Sequence, residues 1–327
     1  MSLTMQNKEY HCRTLQPEDA GQVRQLFQQV FRQEMSPELW SWKYGNEQGR
    51  ATVVFDGDEL VAHYGGMGRK VLWQGQETQA VQITDVMVAV GSRHSVRSQS
   101  PFYLAFTGFA QHYLGYGKDF PLAYGFPNHR VMKLAELLGF YAPVGDMMEL
   151  TWPATTSLVA RLVRTARVTS ENFALLQDKL DAAWQAMART LTNSIVGVKD
   201  AAWLHQRYLS HPARQYEVLL VQPFYSTTPL GVLVLRHDAD KTFLMDVIAD
   251  VKKIPAMVRV AASLAEQQGK HSLYTWCAGG KTRHFETAGY SKTALPIVIP
   301  ANIWTEGPKP DELRGRWWLM PGDTDFQ

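Results

Sequence analysis

The chain has 327 residues, 45% of them hydrophobic and 20% charged, with 33 Lys+Arg against 31 Asp+Glu. That length gives room for about two domains of roughly 150 residues, and the apolar content excludes wholesale disorder. A net charge of +2 spread along the chain gives no nucleic-acid footprint, and no apolar stretch approaches the ~20 residues of a membrane helix.

Several local features narrow the class further. The first twelve residues are polar and lack a signal-peptide core, so the expected compartment is the cytosol. Cys12 and Cys277 form no CxxC and the ten histidines no HxxxH, so neither a disulfide framework nor a metal site is expected.

In chain order, Pro17–Arg32 carries Ala20, Val23, Leu26, Phe27, Val30 and Phe31 as a helical stripe. Ser36-Pro37 opens a second short helix with Trp40, Trp42 and Tyr44. Ala51–Phe55 and Leu60–Gly66 read as strands joined by the turn at Asp56-Gly57-Asp58-Glu59, and Lys70–Trp73 and Thr78–Ala89 as a second pair around Gln74-Gly75-Gln76. Ser100-Pro101 caps a helix burying Phe102, Phe106, Phe109 and Tyr113. Pro121–Phe126 reads as a strand, Asn128 caps a helix ended by Gly139, and Tyr141–Thr151 is a further strand. Ser157–Arg167 and Asn172–Arg189 read as helices, and the boundary is placed near Pro153, giving domains 1–152 and 153–327.

The second half repeats the first. Trp40-Ser-Trp-Lys-Tyr44 has a counterpart in Trp203-Leu-His-Gln-Arg-Tyr208, and the strand around Asp85 has one around Asp246. Tyr124–Phe140 aligns without gaps to Tyr274–Tyr290. Three matches in register point to a duplicated domain.

This order of elements, with Asp85-Val-Met-Val, Gly125-Phe-Pro-Asn128 and Leu137-Leu-Gly-Phe140 in sequence, resembles the GNAT acetyltransferase superfamily. The likeness is fullest over residues ~10–152 and fainter over ~175–305. It implies an α/β fold of two tandem GNAT-like lobes, each a twisted mixed sheet flanked by helices. In that family the strand matching Ile83–Val88 splays from the one matching Pro121–Phe126. The unpaired main chain there, at Val86, Met87 and Val88, takes the pantetheine arm of acetyl-CoA. The loop after it holds the pyrophosphate at a helix N-terminus. That loop falls on Arg93–Ser98, where Val96 stands in place of the first glycine. Arg93, Arg97 and Ser98 are the side chains left to grip phosphate. Asn128 matches the family position that contacts pantetheine and also suits a plain N-cap. The family's usual acid, a tyrosine four residues before Gly139, is Ala135 here; Tyr141 and Tyr124 lie near in sequence. Asp85 is the candidate base, with a structural role as its alternative. His63 and His129 are further residues able to face the cleft. In the second half, the short glycine-free loop Asp250–Pro255 and Ala278 in place of Asn128 argue against a second cofactor site.

The resulting expectation is an acyl-CoA-dependent N-acyltransferase. It would move acetyl from acetyl-CoA to a small-molecule primary amine or amino sugar in a ternary complex, with Asp85 and Tyr141 as catalytic candidates. A backbone N–H near Val88 would hold the oxyanion, and no metal, nucleic acid or membrane takes part. Two other readings stand beside it: a GNAT-fold ligand-binding protein without chemistry, favoured by Val96 and Ala135, and an aminoacyl transferase using aminoacyl-tRNA. Two short patterns are set aside. Gly279-Gly280-Lys281-Thr282 looks like a P-loop ending but lacks the earlier glycine, and Asp323-Thr324-Asp325 reads as an exposed acidic tail docked by Trp317-Trp318.

Overall fold

The computed structural model describes residues 9–45, 49–92 and 99–325. They form two compact units. The first comprises Met1–Arg69, Gln79–Gly125 and Asn302–Pro308; the second comprises Lys70–Thr78, Phe126–Ala301 and Lys309–Gln327.

The first unit contains β1 (Tyr10–Thr14), α1 (Ala20–Phe31), α2 (Pro37–Tyr44), β2 (Gly49–Asp56), most of β3 (Glu59–Trp73) and β4 (Gln76–Val88), α3 (Pro101–Tyr113) and β5 (Leu122–Tyr124). The sheet order is β1-β2-β3-β4-β5. Both expected hairpins form: Gly57 has φ +60°, and Gln74 and Gly75 have φ +53° and +76°, the paired left-handed geometry of a tight two-residue turn. The strands expected at Leu60–Gly66 and Lys70–Trp73 are one fifteen-residue strand, because Met67-Gly68-Arg69 between them stays extended. Apolar residues of α1 (Val23, Leu26) meet Val53, Phe55, Leu60 and Met87 of the sheet. Across the sheet, Tyr64 packs on Phe106 and Phe109 of α3, and the Thr52 hydroxyl donates to the Ala105 carbonyl at 2.6 Å.

The second unit contains α4 (His129–Leu137), β6 (Tyr141–Pro153), β7 (Val163–Val168), α5 (Phe173–Thr190), β8 (Ile195–Gly197), α6 (Ala201–Leu204), β9 (Glu217–Pro223), β10 (Gly231–His237), β11 (Lys241–Ile248), α7 (Ile254–Gln267), β12 (Ser272–Ala278), β13 (Ser291–Asn302), α8 (Pro310–Leu313) and β14 (Trp317–Trp318). Its sheet runs β13-β6-β12-β11-β10-β9-β7. Strand β6 pairs antiparallel with β12 from Pro153↔Ser272 to Met147↔Ala278, so it joins the second sheet rather than closing the first. The helix expected over Ser157–Arg167 is instead a single 3-10 turn followed by β7, an edge strand on β9. Val163, Thr165 and Val168 are β-branched and favour the strand once the open edge of β9 offers partners. Val71–Trp73, at the tip of the β3–β4 hairpin, pairs with β8, and β8 pairs in parallel with β14.

The C-terminal segment departs from expectation. Trp317 and Trp318 are buried as anticipated, but Asp323 and Thr324 are only 1% exposed and form no free acidic tail. The reason is a buried lysine, described below, that takes Asp323 as a partner.

Candidate functional site

In the first unit β4 and β5 pair over three positions only: Ala80↔Leu122, Val81↔Ala123 and Gln82↔Tyr124. β5 then ends, while β4 continues to Val88. The main chain of Ile83–Val88 therefore runs past the end of its parallel neighbour. Main-chain N–H and C=O groups on such a stretch need partners from somewhere other than β5. Met87 turns its side chain into the core beneath α1, while Val86 and Val88 are half-buried.

Asp85 sits three residues past the last β4–β5 pair, with φ +48°. A non-glycine residue at positive φ is uncommon and costs on the order of 1 kcal/mol, so surrounding bonds must hold it. Lys43 Nζ donates to both carboxylate oxygens at 2.8 and 3.0 Å, and the Tyr44 hydroxyl donates at 2.8 Å. Both partners come from the last turn of α2. The Asp85 carbonyl accepts from His63 Nδ1 at 2.7 Å. A carbonyl only accepts, so Nδ1 carries the hydrogen, and His63 Nε2 is buried without a hydrogen-bond partner among the described residues. Burial pushes the His63 pKa below its ordinary value. Gly65 is required here: a Cβ would run into the Tyr44 hydroxyl and lie 2.6 Å from His63 Cε1.

The second unit repeats this construction. β11 and β12 pair over three positions, ending at Phe243↔Tyr274, and Asp246 again lies three residues beyond. Lys199 Nζ donates to Asp246 at 2.9 and 2.8 Å, and the Tyr208 hydroxyl donates to it at 2.9 Å. Tyr208 is presented from a single π-turn, His205–Leu209, after α6. Burial, the first cause, raises the Asp246 carboxyl, and the second acid Asp323 adds to it against the pull of Lys199. The duplicated Tyr and Asp positions of the sequence are thus hydrogen-bonded to one another within each unit.

The units differ in what lies at the split. In the second, the chain's own C-terminal segment fills it. The Ala278 N–H donates to the Leu319 carbonyl at 3.1 Å. Asp323 takes two 3.1 Å bonds from Lys199 Nζ. Arg207 donates to the carbonyls of Gly322 and Thr324 at 3.0 and 2.8 Å. Gly322 lies where a Cβ would collide with the Tyr208 hydroxyl and the Asp246 carboxylate. The Thr275 hydroxyl also reaches across to the Leu244 carbonyl at 2.7 Å.

Of the other candidates, Arg93, Arg97 and Ser98, with Val96, lie outside the described residues. Ser100 caps α3, accepting from the Tyr103 N–H at 3.3 Å. Asn128 caps α4, accepting from the Val131 N–H at 2.9 Å. Ala135 is fully buried in α4. Tyr141 is buried in the second unit, and burial pushes its phenol well above the ordinary tyrosine range. Asp85, Val86, Met87 and Val88 stand together on β4 in the first unit; Asn128 and Tyr141 belong to the second. Lys43 and His63 were the partners that sequence left unassigned to Asp85. Lys43 stands beside Tyr44, the tyrosine of the run that the second half repeats with Tyr208, and that adjacency was the available signal.

Residues 11–100 match the family model of the acetyltransferase (GNAT) domain. No curated protein matches the chain. Among solved structures, a probable N-acyltransferase from Enterococcus faecalis V583 has a TM-score of 0.66 at 12% identity, over 94% of this chain and 74% of that one. A GCN5-related N-acetyltransferase from Kribbella flavida has a TM-score of 0.63 at 14% identity, over 89% and 70%. Saccharomyces cerevisiae N-myristoyltransferase with bound myristoyl-CoA has a TM-score of 0.54 at 10% identity, over 96% and 89%. The fold is the two-lobe GNAT fold. No helix among the described residues is long and apolar enough to cross a membrane.

Proposed function

We propose that this chain is an N-acyltransferase whose donor, an acyl-CoA, binds in the first lobe along the main chain of β4 beyond Gln82. The observation that carries this reading is the contrast between the two splits. Both lobes part their strands three residues before the buried aspartate; at the split the second holds Leu319–Thr324, whereas in the first β4 runs on to Val88 after β5 has ended at Tyr124. Pantetheine is an extended amide-bearing chain, and it suits main-chain groups past a strand end as a further strand would.

The chemistry is direct transfer. A neutral primary amine or amino-sugar nitrogen attacks the thioester carbonyl, the C–N bond forms, and a main-chain N–H stabilises the tetrahedral oxyanion. The C–S bond breaks and coenzyme A leaves as thiolate. The amine proton passes to water, because the Asp85 carboxylate already accepts from Lys43 and Tyr44. Asp85 is thereby a positioning residue that holds the positive-φ kink of β4. Tyr141 is the proposed proton donor to the leaving sulfur, regaining its proton from water. Arg93, Arg97, Ser98 and Asn128 complete the proposed donor contacts, and acetyl is the proposed acyl group.

Calorimetry with acetyl-CoA and longer acyl-CoA, followed by thiol release against a panel of amines, tests this. One equivalent of acyl-CoA bound and amine-dependent thiol release are the expected results. Folded protein that binds no acyl-CoA at millimolar concentration overturns the proposal. Loss of affinity together with rate in Asp85→Asn marks positioning, whereas a lost rate with unchanged affinity marks Asp85 as the base. A rate unchanged in Tyr141→Phe removes that residue from the chemistry.

A further inference from the structure

The second unit holds two buried lysines with opposite surroundings. Lys199 has two carboxylates, Asp246 and Asp323. Lys281 is 9% exposed, and among the described residues its ammonium donates one hydrogen bond, to the Ser194 hydroxyl at 2.8 Å. An ammonium group has three donors, so two have no partner among the described residues. Leaving a buried cation without a counter-charge is costly.

The neighbours of Lys281 add positive charge. It lies in the 3-10 segment Gly279–Phe285 that follows β12. Gly280 abuts the carbonyl of Gly315, at a site where a Cβ would come within 2.9 Å of that oxygen. The next residue, Arg316, accepts the Ile195 N–H at its carbonyl at 2.8 Å, beside Ser194. Three separate segments therefore bring Lys281, Ser194 and Arg316 together, with Arg283 two residues along the 3-10 segment. Arg283 is exposed and Arg316 half-buried. His284, next to Arg283, lies against Trp318 and is held below its ordinary pKa, first by burial and then by Arg283 and Lys281. Burial, then Arg283 and Arg316, also lowers the Lys281 pKa to about 8.

We infer that Lys281, Arg283, Arg316 and the Ser194 hydroxyl form an anion site for a phosphate group. A dianion supplies the counter-charge that the chain withholds, and arginine forks match the oxygens of a tetrahedral phosphate. The site does not depend on a P-loop, since no α-helix follows Gly279-Gly280-Lys281-Thr282. It is also independent of the acyl-CoA proposal, because every residue belongs to the second unit and none to β4.

Thermal melting of the full chain at pH 7 tests the site, with inorganic phosphate or glycerol phosphate against sodium chloride at matched ionic strength. Phosphate also stabilises proteins by exclusion from their surfaces, so the readout is the difference between wild type and variants. Wild type gains several degrees from phosphate over chloride, saturating at millimolar concentration. Lys281→Met gains no more from phosphate than from chloride, and Arg283→Gln with Arg316→Gln loses at least half the wild-type gain. The double variant, built on surface positions, keeps the test informative should Lys281→Met fold poorly. A gain from glycerol phosphate equal to that from phosphate identifies a monoester as an acceptable ligand. A gain from inorganic phosphate alone identifies the free ion. Equal phosphate gains in wild type and both variants, or no gain in wild type, overturn the inference.

Discussion

Two residues carry the sharpest consequences. Lys281 has a folded-state pKa of about 8, below the ~10.4 of an unfolded lysine. Between those values the unfolded chain binds more protons, so stability rises with pH across that window. Chemical denaturation at pH 7.5 and 9.5 in chloride buffer should show a gain of about 1–3 kcal/mol for wild type. Lys281→Met should flatten that slope. Lys43 and Asp85 are both nearly fully buried and bonded to each other. Removing one partner strands a charge, so Lys43→Met should lose about 3–5 kcal/mol, and Asp85→Asn, which keeps a polar group for Tyr44, should lose less. Circular dichroism melts measure both, and equal stabilities in wild type and Lys43→Met would show the pair to be unimportant. Asp85 was legible as a special residue because an acid in an apolar strand must find a partner. The identity of that partner was not, because Lys43 is 42 positions away and only packing of α2 on the sheet brings it there.

At the scale of elements, hairpins and caps followed from local chemistry. Gly57, Gly75, Ser36, Ser100 and Asn128 sit in the turns and caps that their residue types favour. The element that local chemistry misread is Ser157–Arg167, where an open strand edge outweighed helical spacing. The C-terminal segment is the second case: Asp323 looks solvated by composition and is buried by Lys199. Truncation after Trp318 removes Leu319 and Met320 from the core as well as the Asp323 bond. It should cost about 4 kcal/mol from the two apolar side chains alone. A melt in which the truncated chain matches the full one would show that the segment does not stabilise the second lobe.

At the scale of the whole molecule, the duplication is the organising fact. A fragment beginning at residue 153 lacks β6, the antiparallel partner of β12 over seven residue pairs. It should expose that edge and associate, since an unpaired strand edge recruits other chains. A fragment beginning at residue 126 retains β6 and should be more soluble. Sedimentation of the two fragments decides between a working boundary at residue 153 and one before α4.

By itself the sequence determined the turns, the caps, the apolar stripes and the internal repeat with its two aspartates, because each depends on residues within a few positions or on self-similarity that can be read directly. Only the tertiary structure decided which strands join which sheet, that the strands part at Gln82 and Phe243, and that the chain's own C-terminus fills one split. Those outcomes depend on partners far away in sequence, where open strand edges and unpaired buried charges select whichever segment can satisfy them.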